Sequence, residues 1–424
     1  MSRKFDLIVF GATGFTGKYV AETIVKTLKS TPPGESFTWA VAGRSTSKLA
    51  TILDEISGRT GQDLKSVEKI VADVSDPESI KSMARLGKVV LNCVGPYRFF
   101  GEQVVKACVE EGTHHVDVSG EPQFLESMQL KYHKLAEEKG IYVVGSCGFD
   151  SIPADCGTVY LVQNFGGDVN SVEEYVETDN GGQPTKIHYG TWQSAIYGLA
   201  HANELRPLRS QLYPEPLPKP KYRMTQRKFL HRSDIVEGWC IPFPGSDRSV
   251  VMRSQRHFFH QERQHPVQMQ AYLKQKSLFE MMCLVIGGMI FGVFVQFKIG
   301  KYLLERFPTF FSAGYVTHEG PAPEEMDKLT FTITLVGEGW GEKLLEPTDI
   351  HADPPKKTKV VKVRGTNPGY GATCVCLVQA ALTILKEDNK MPSKGGVYPP
   401  GAAFAKTTLI QRLNQNGVTF TLEG

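Results

Sequence analysis

The chain has 424 residues, enough for two or three domains at roughly 150 residues each, and its 41% apolar and 22% charged content is an ordinary globular mix. Its 48 Lys and Arg against 45 Asp and Glu leave a formal charge of +3. No strong field invites nucleic acid, and collagen-like, disordered and polytopic membrane classes are excluded. The 8 cysteines are scattered without a CxxC pair, which reads as a reduced, intracellular chain.

The first third alternates short β-branched runs with helical periodicity, the pattern of βαβ units on a parallel sheet. Strands are predicted near Phe5–Phe10, Thr38–Ala42, Lys69–Ala72, Val89–Cys93, His115–Val118 and Ile141–Val144. Helix signals fall between them: Asp76-Pro77 is an N-cap followed by proline, and Pro122 opens a helix whose Phe124, Met128 and Leu135 share a face before Gly140. After about Asp155 the rhythm changes. Strand-like runs at Val172–Val176, Val250–Arg253, Thr330–Val336 and Val360–Val363 are separated by long polar connections, including the proline-rich stretch from Pro214 to Pro220, and read as an antiparallel α+β domain. A helix from Ala372 to Leu385 is apolar all round, which implies burial.

Gly11-Ala12-Thr13-Gly14-Phe15-Thr16-Gly17 lies between the first strand and a helix. Unpaired N–H groups at a helix start hold a pyrophosphate, and glycine lets the backbone approach it. The second strand ends in Gly43-Arg44-Ser45, with no Asp or Glu between Trp39 and Ser47 to hold a ribose 2′-hydroxyl. Arg44, with Ser45 and Lys48 as further donors, suits a 2′-phosphate instead, so NADP(H) is favoured over NAD(H). Asp73, Gly95 and Pro96 complete the candidate cofactor set.

In a doubly wound sheet the ligand lies at the carboxyl ends of the strands. Tyr97, Asp117, Glu121 and Asp150 are the polar groups expected there, and each is a candidate proton relay as well as an ordinary turn or cap residue. Cys147 has no base nearby in sequence and reads as a small buried residue. His257, His260 and His265 lack a carboxylate or cysteine at ligand spacing, so no metal is expected. The single Tyr-xxx-Lys match, Tyr272 and Lys276, lies outside the nucleotide domain and is set aside as a chance match.

From Leu278 to Phe297 the chain is far more apolar than elsewhere. The uncharged part, Met281 to Val295, is about 15 residues; at a rise of ~1.5 Å it reaches ~22 Å, short of the ~30 Å hydrocarbon core. Lys274 and Lys276 precede it and Lys298, Lys301 and Arg306 follow. Such flanks suit an interfacial or re-entrant element on an anionic surface; a buried helix or an oligomer interface is the alternative.

The motifs GATGFTG, AVAGRS, LNCVGPYRFFGE, DVSGEPQF, GSCGFDSIPAD and the segment Gly395–Phe404 closely resemble saccharopine dehydrogenase-like oxidoreductases, in order and through nearly the whole chain. The resemblance implies a Rossmann-type doubly wound parallel sheet (α/β) with an inserted α+β substrate domain and a C-terminal segment returning to the first domain. The corresponding boundaries are 1–155, 156–370 (a substrate and dimerisation domain with the apolar segment 278–297) and 371–424. Similarity to bacterial trans-acting enoyl reductases, and the lipid-droplet and membrane association of animal members, imply a lipid-derived substrate and a droplet or membrane surface on its cytoplasmic face, and the family's substrate-domain sheets imply a homodimer. The segment Gly148-Phe149-Asp150-Ser151-Ile152-Pro153 departs from the Gly-Leu-Asp-Pro-Gly pattern of saccharopine reductases. The reading is therefore an NADPH-dependent oxidoreductase on a hydrophobic substrate, with a saccharopine-type amino-acid enzyme and a non-catalytic dinucleotide-binding droplet scaffold as alternatives.

Overall fold

The computed structural model describes residues 3–32, 35–182, 186–392 and 394–423. It divides into two compact units. The first comprises residues 1–149, 369–398 and 406–416, and the second residues 150–368, 399–405 and 417–424. The C-terminal segment is thus shared between them, and the first crossing falls at Phe149/Asp150 where the sequence reading places residue 155.

In the first unit the chain runs β1 (Phe5–Phe10), α1 (Phe15–Ser30), β2 (Trp39–Gly43), α2 (Thr46–Thr60), β3 (Glu68–Val71), α3 (Pro77–Leu86), β4 (Gly87–Asn92), α4 (Tyr97–Glu111), β5 (His114–Asp117), α5 (Pro122–Glu138) and β6 (Tyr142–Val144). The second unit contains α6 (Ile152–Phe165), β7 (Val169–Asp179), β8 (Ile187–His188), α7 (Tyr189–Ala200), α8 (Leu205–Leu212), β9 (His231–Ser233), β10 (Gly238–Pro242), α9 (Asp247–Glu262), β11 (Gln268–Gln275), α10 (Leu278–Phe294), α11 (Lys298–Arg306), α12 (Pro308–Phe311), β12 (Val316–Thr317), α13 (Pro323–Lys328), β13 (Thr330–Gly339) and β14 (Lys357–Thr366). The remainder is α14 (Thr373–Glu387), β15 (Gly396–Tyr398), α15 (Pro400–Phe404), α16 (Leu409–Gln415) and β16 (Thr419–Glu423).

The first sheet has the order β15-β6-β5-β4-β1-β2-β3 and is parallel throughout. Helices cover a parallel sheet on both faces, and β2 is accordingly buried at every residue. The reversal of strand order between β1 and β4 creates the crevice in which such folds bind dinucleotides. α14 packs on α1 and near β4 and β5; most of its residues are buried, as its all-round apolar character implies. Glu387 at its end accepts from the Thr408 N–H (2.9 Å) and pairs with Lys390 and Arg412. Burial works against that charge, but the Thr408 and Lys390 hydrogen bonds prevail and hold the carboxyl at about 2.

The second sheet has the order β16-β14-β13-β7-β11-β10-β9. It is mixed, because β11 runs parallel to β7, which corrects the antiparallel expectation. Long connections, including α7 and α8, lie between those two strands in the chain and permit a crossover that a hairpin loop cannot make. A second correction concerns Val250–Arg253, predicted as a strand and found within α9. Val250, Val251, Ser254 and Phe258 are buried there, so the β-branched pair belongs to an apolar helix face.

α10 is the outlier of the second unit. Among its 17 residues Met281 alone is buried. Phe279 is 77% exposed, and Met289 and Val293 are each 59% exposed. A Cβ built on Gly287, Gly288 or Gly292 meets nothing within 4 Å. Its C-terminal end is held by a small cluster in which Val295 joins Ile196 of α7 and Leu304 of α11, with Phe291 and Phe294 packed against them. This chain does not bury the apolar segment. Among the described residues, the helix long and apolar enough to cross a membrane is Pro368–Lys390, which contains α14 and is largely buried in the protein.

Candidate functional site

The glycine turn after β1 is built by close approach. Gly11 has φ +84°, a conformation that favours glycine. A Cβ on Gly17 would lie 2.2 Å from the Gly11 carbonyl oxygen, so that glycine lets α1 sit against the turn. The Gly11 and Ala12 N–H groups donate to the Ala42 carbonyl at 3.0 and 3.3 Å, and Gly14 donates back to Gly11 at 2.9 Å. Thr13 and Gly14 are exposed. Gly14 caps α1 without a side-chain hydrogen bond. α2 and α3 differ, with Ser45 accepting from Lys48 N–H and Asp76 from Glu78 and Ser79 N–H. A glycine-rich cradle at a helix start without a side-chain cap fits a dinucleotide pyrophosphate.

Arg44 is exposed just past β2, Ser45 is half-buried at the start of α2, and Lys48 is exposed in the first turn of α2. Asp73, just past β3, accepts from the Ser75 N–H (2.9 Å) and hydroxyl (2.8 Å). Those bonds, with the positive charge of Arg44 a smaller contributor, hold its carboxyl below the usual range. The Asp73 carboxylate is thus fixed by its own turn, and the Arg44 guanidinium is accessible for an anionic group.

At the carboxyl ends of β4, β5 and β6 the fold brings Tyr97, Asp117 and Glu121 together. The Glu121 carboxylate accepts from Tyr97 N–H (3.0 Å) and Arg98 N–H (2.9 Å), the first two helical donors of α4, whose N-cap Pro96 provides no side-chain bond. Gly95 and Pro96 form the approach to that helix. The Tyr97 hydroxyl donates to the Asn92 carbonyl (2.8 Å); burial, then the Asp117 charge, push its phenol well above the ordinary value. Asp117 accepts from Ser119 and Ser146 N–H at 2.9 and 3.1 Å and lies 3.0 Å from His115 Nε2, both side chains being buried. Ser146 adopts φ +60° there, an uncommon conformation for a residue with a Cβ. All three predicted groups thus hold strand ends and a helix start in place.

Asp150 belongs to the second unit, in a cluster that sequence reasoning missed. Its carboxylate faces Ser246, whose hydroxyl donates to the Asp150 carbonyl at 2.8 Å. Around it are Asp155, Glu174 and Asp247, with Arg253 the cation acting on Asp155. Asp155 accepts from the Ser254 hydroxyl (2.8 Å) and the Gly401 N–H (2.7 Å). Burial raises Asp150 to about 6 and Asp155 to about 7, against the hydrogen bonds to each. Burial raises Glu174 and Asp247 as well, with the Glu174 charge adding to the rise of Asp247. A legible signal existed: Val172, Glu174 and Val176 alternate along one strand and so share one face.

Carboxyls raised in this way bind protons in the folded state that the unfolded chain has released, so their contribution to stability falls as pH rises from about 4 towards about 8. Melting temperature is expected to drop by several degrees between about pH 6 and about pH 8. Glu174→Gln, which removes one titrating group and keeps the shape, is expected to flatten that slope. A wild-type profile flat over this range, measured by thermal denaturation, would contradict the protonated cluster.

The parallel sheet with its reversal point, the glycine-rich cradle and the α1 start without a side-chain cap define a dinucleotide-binding protein of the α/β class. Residues 7–144 match the saccharopine dehydrogenase NADP binding domain. The chain is 43% identical over 424 residues to the human saccharopine dehydrogenase-like oxidoreductase, covering 99% of this chain and 97% of that protein. It is 38% identical over 428 residues to a Caenorhabditis elegans lipid droplet localized protein, covering 100% and 99%. Apo saccharopine dehydrogenase (L-Glu forming) from Saccharomyces cerevisiae shares the fold, with a TM-score of 0.55 at 14% identity over 99% of this chain and 100% of that one. The chain belongs to the saccharopine dehydrogenase-like oxidoreductase family, and its first unit carries an NADP(H)-binding domain.

Proposed function

We propose that this oxidoreductase uses NADP(H) in preference to NAD(H) and acts on a hydrophobic, lipid-derived substrate while docked on a lipid monolayer or membrane face. The observation that carries the surface half is α10, an apolar helix that its own chain leaves exposed. It continues into exposed Phe297, Ile299 and Tyr302, with Lys298, Lys301 and Arg306 at hand for anionic headgroups. At 17 residues and ~1.5 Å each it is ~25 Å long, suited to lying in an interface more than to crossing one. The name of the worm relative supports a droplet as that surface.

The cofactor half rests on the glycine cradle and on Arg44. When bound, NADP(H) supplies hydride chemistry to a C=C, C=O or C=N bond. The cradle of Gly11, Gly14 and Gly17, with Thr13, Phe15 and Thr16, takes the pyrophosphate; Arg44, Ser45 and Lys48 take the 2′-phosphate. Glu121 fixes the start of α4, and Asp117 and Tyr97 fix the strand ends, so these three are positioning groups. Reduced cofactor is expected to be consumed when a cellular lipid extract is presented on an emulsion. Turnover with the water-soluble extract alone, saccharopine included, would overturn the lipid assignment.

A further inference from the structure

The geometry points to Tyr370 as a positioning residue of the dinucleotide site: a ring on the C-terminal return that props the first turn of α1 from outside the 7–144 binding domain. This rests on the dinucleotide occupying the Gly11–Gly17 loop.

Residues Gly11 to Gly14 are small, and Ala12 alone among them is buried in the core. Phe15, the first residue of α1, is the first bulky side chain after them. The Tyr370 ring meets it edge to face, with centroids 4.6 Å apart and planes at 77°. Tyr19, one turn on, closes a three-ring cluster at 5.3 Å from Phe15 and 6.4 Å from Tyr370. The Lys18 ammonium lies 5.1 Å from both the Phe15 and Tyr19 rings. Tyr370 is buried, in a π-helical turn over Pro368–Ala372 that leads into α14. Such turns are rare and recur at functional sites.

Two neighbours on the return reinforce the contact. The Cys374 thiol reaches the Thr16 carbonyl at 3.9 Å. The Thr373 hydroxyl accepts the Phe149 N–H at 3.0 Å, just past the end of β6. Thus Phe15 and Thr16, the two residues between the second and third glycines, are both held by a segment more than 350 positions later in the chain. Fixing Phe15 fixes the direction of the first-turn N–H groups that face the pyrophosphate. The return then acts on cofactor affinity without itself touching the cofactor.

The test is NADPH affinity by fluorescence titration, together with amide hydrogen exchange of residues 12–18 in the cofactor-free protein. Tyr370→Ala is expected to raise Kd about tenfold and to speed exchange in that segment. Tyr370→Phe, which keeps the ring, is expected to restore both; Tyr370→Leu fills the site without a ring and serves if the alanine variant fails to fold. A Kd within about twofold of wild type for the ring-free variant would overturn the proposal, as would affinity loss with uniformly faster exchange through the first unit. Failure of the wild-type protein to bind NADPH would instead remove the cofactor reading on which it rests.

Discussion

Replacing Met289, Ile290 and Val293 together by aspartate is expected to release the protein from lipid surfaces. In emulsion flotation the partition coefficient should fall by more than about 100-fold. Each of these side chains is exposed in the folded chain, so the substitutions remove no internal packing. Each loses roughly 1.5–3 kcal/mol of burial in the lipid phase, and each new carboxylate adds about 2.5 kcal/mol or more at the apolar centre. Aspartate costs about 0.7 kcal/mol at most in helix propensity per site, small against those terms. The three sites together cost about 2 kcal/mol at most, so melting temperature should fall by no more than several degrees. If the variant floats like wild type, α10 is not the docking element. If wild type stays in the aqueous layer as a dimer that the variant breaks, α10 is an interface between copies.

Arg44→Glu is expected to weaken NADPH about 30-fold or more and to leave NADH within about threefold, measured by equilibrium titration of each cofactor. A guanidinium holds a phosphate through charge-assisted bonds worth ~1.5–3 kcal/mol. Reversing its sign replaces that attraction with repulsion beside the carboxylate of Asp73, whose titration already responds to Arg44. NADH carries a hydroxyl at the same position and offers little for the new carboxylate to repel. Arg44 is exposed at the end of β2, so its removal leaves the strand core intact. Equal losses for the two cofactors would rule out the 2′-phosphate role.

Six strands of the parallel sheet were legible as short apolar runs that alternate with helical periodicity, whereas the seventh, β15, is three residues long and joins the edge beside β6 from the C-terminal segment. The predicted Phe5–Phe10 strand coincides with β1, and Thr38–Ala42 differs from β2 by one residue. The burial of α14 was expected from its all-round apolar character, whereas the sequence left α10 open between a surface element and a buried helix; which of the two apolar helices the protein covers is decided by tertiary packing. In α9 the pair Val250-Val251 satisfies a strand pattern over a few residues, and only the longer spacing to Ser254 and Phe258 declares a helix. Glu121 illustrates what no local pattern contains. It reads as a residue before a proline, yet it caps a helix that begins 24 positions earlier, because parallel strands bring the exits of β4 and β5 side by side. The buried acids lay between these cases: Glu174 stands on an apolar strand face in the sequence, whereas the influence of Asp247 on it depends on α9 packing against that part of the fold.

Consumption of reduced cofactor on a lipid emulsion, compared between wild type and the three-aspartate α10 variant, tests most directly whether cofactor chemistry depends on surface docking. Wild type is expected to turn over lipid extract on the emulsion, and the variant to do so only when the same lipid is dispersed in detergent. Equal rates on the emulsion, or turnover confined to water-soluble metabolites in both proteins, would contradict a surface-docked, lipid-directed oxidoreductase.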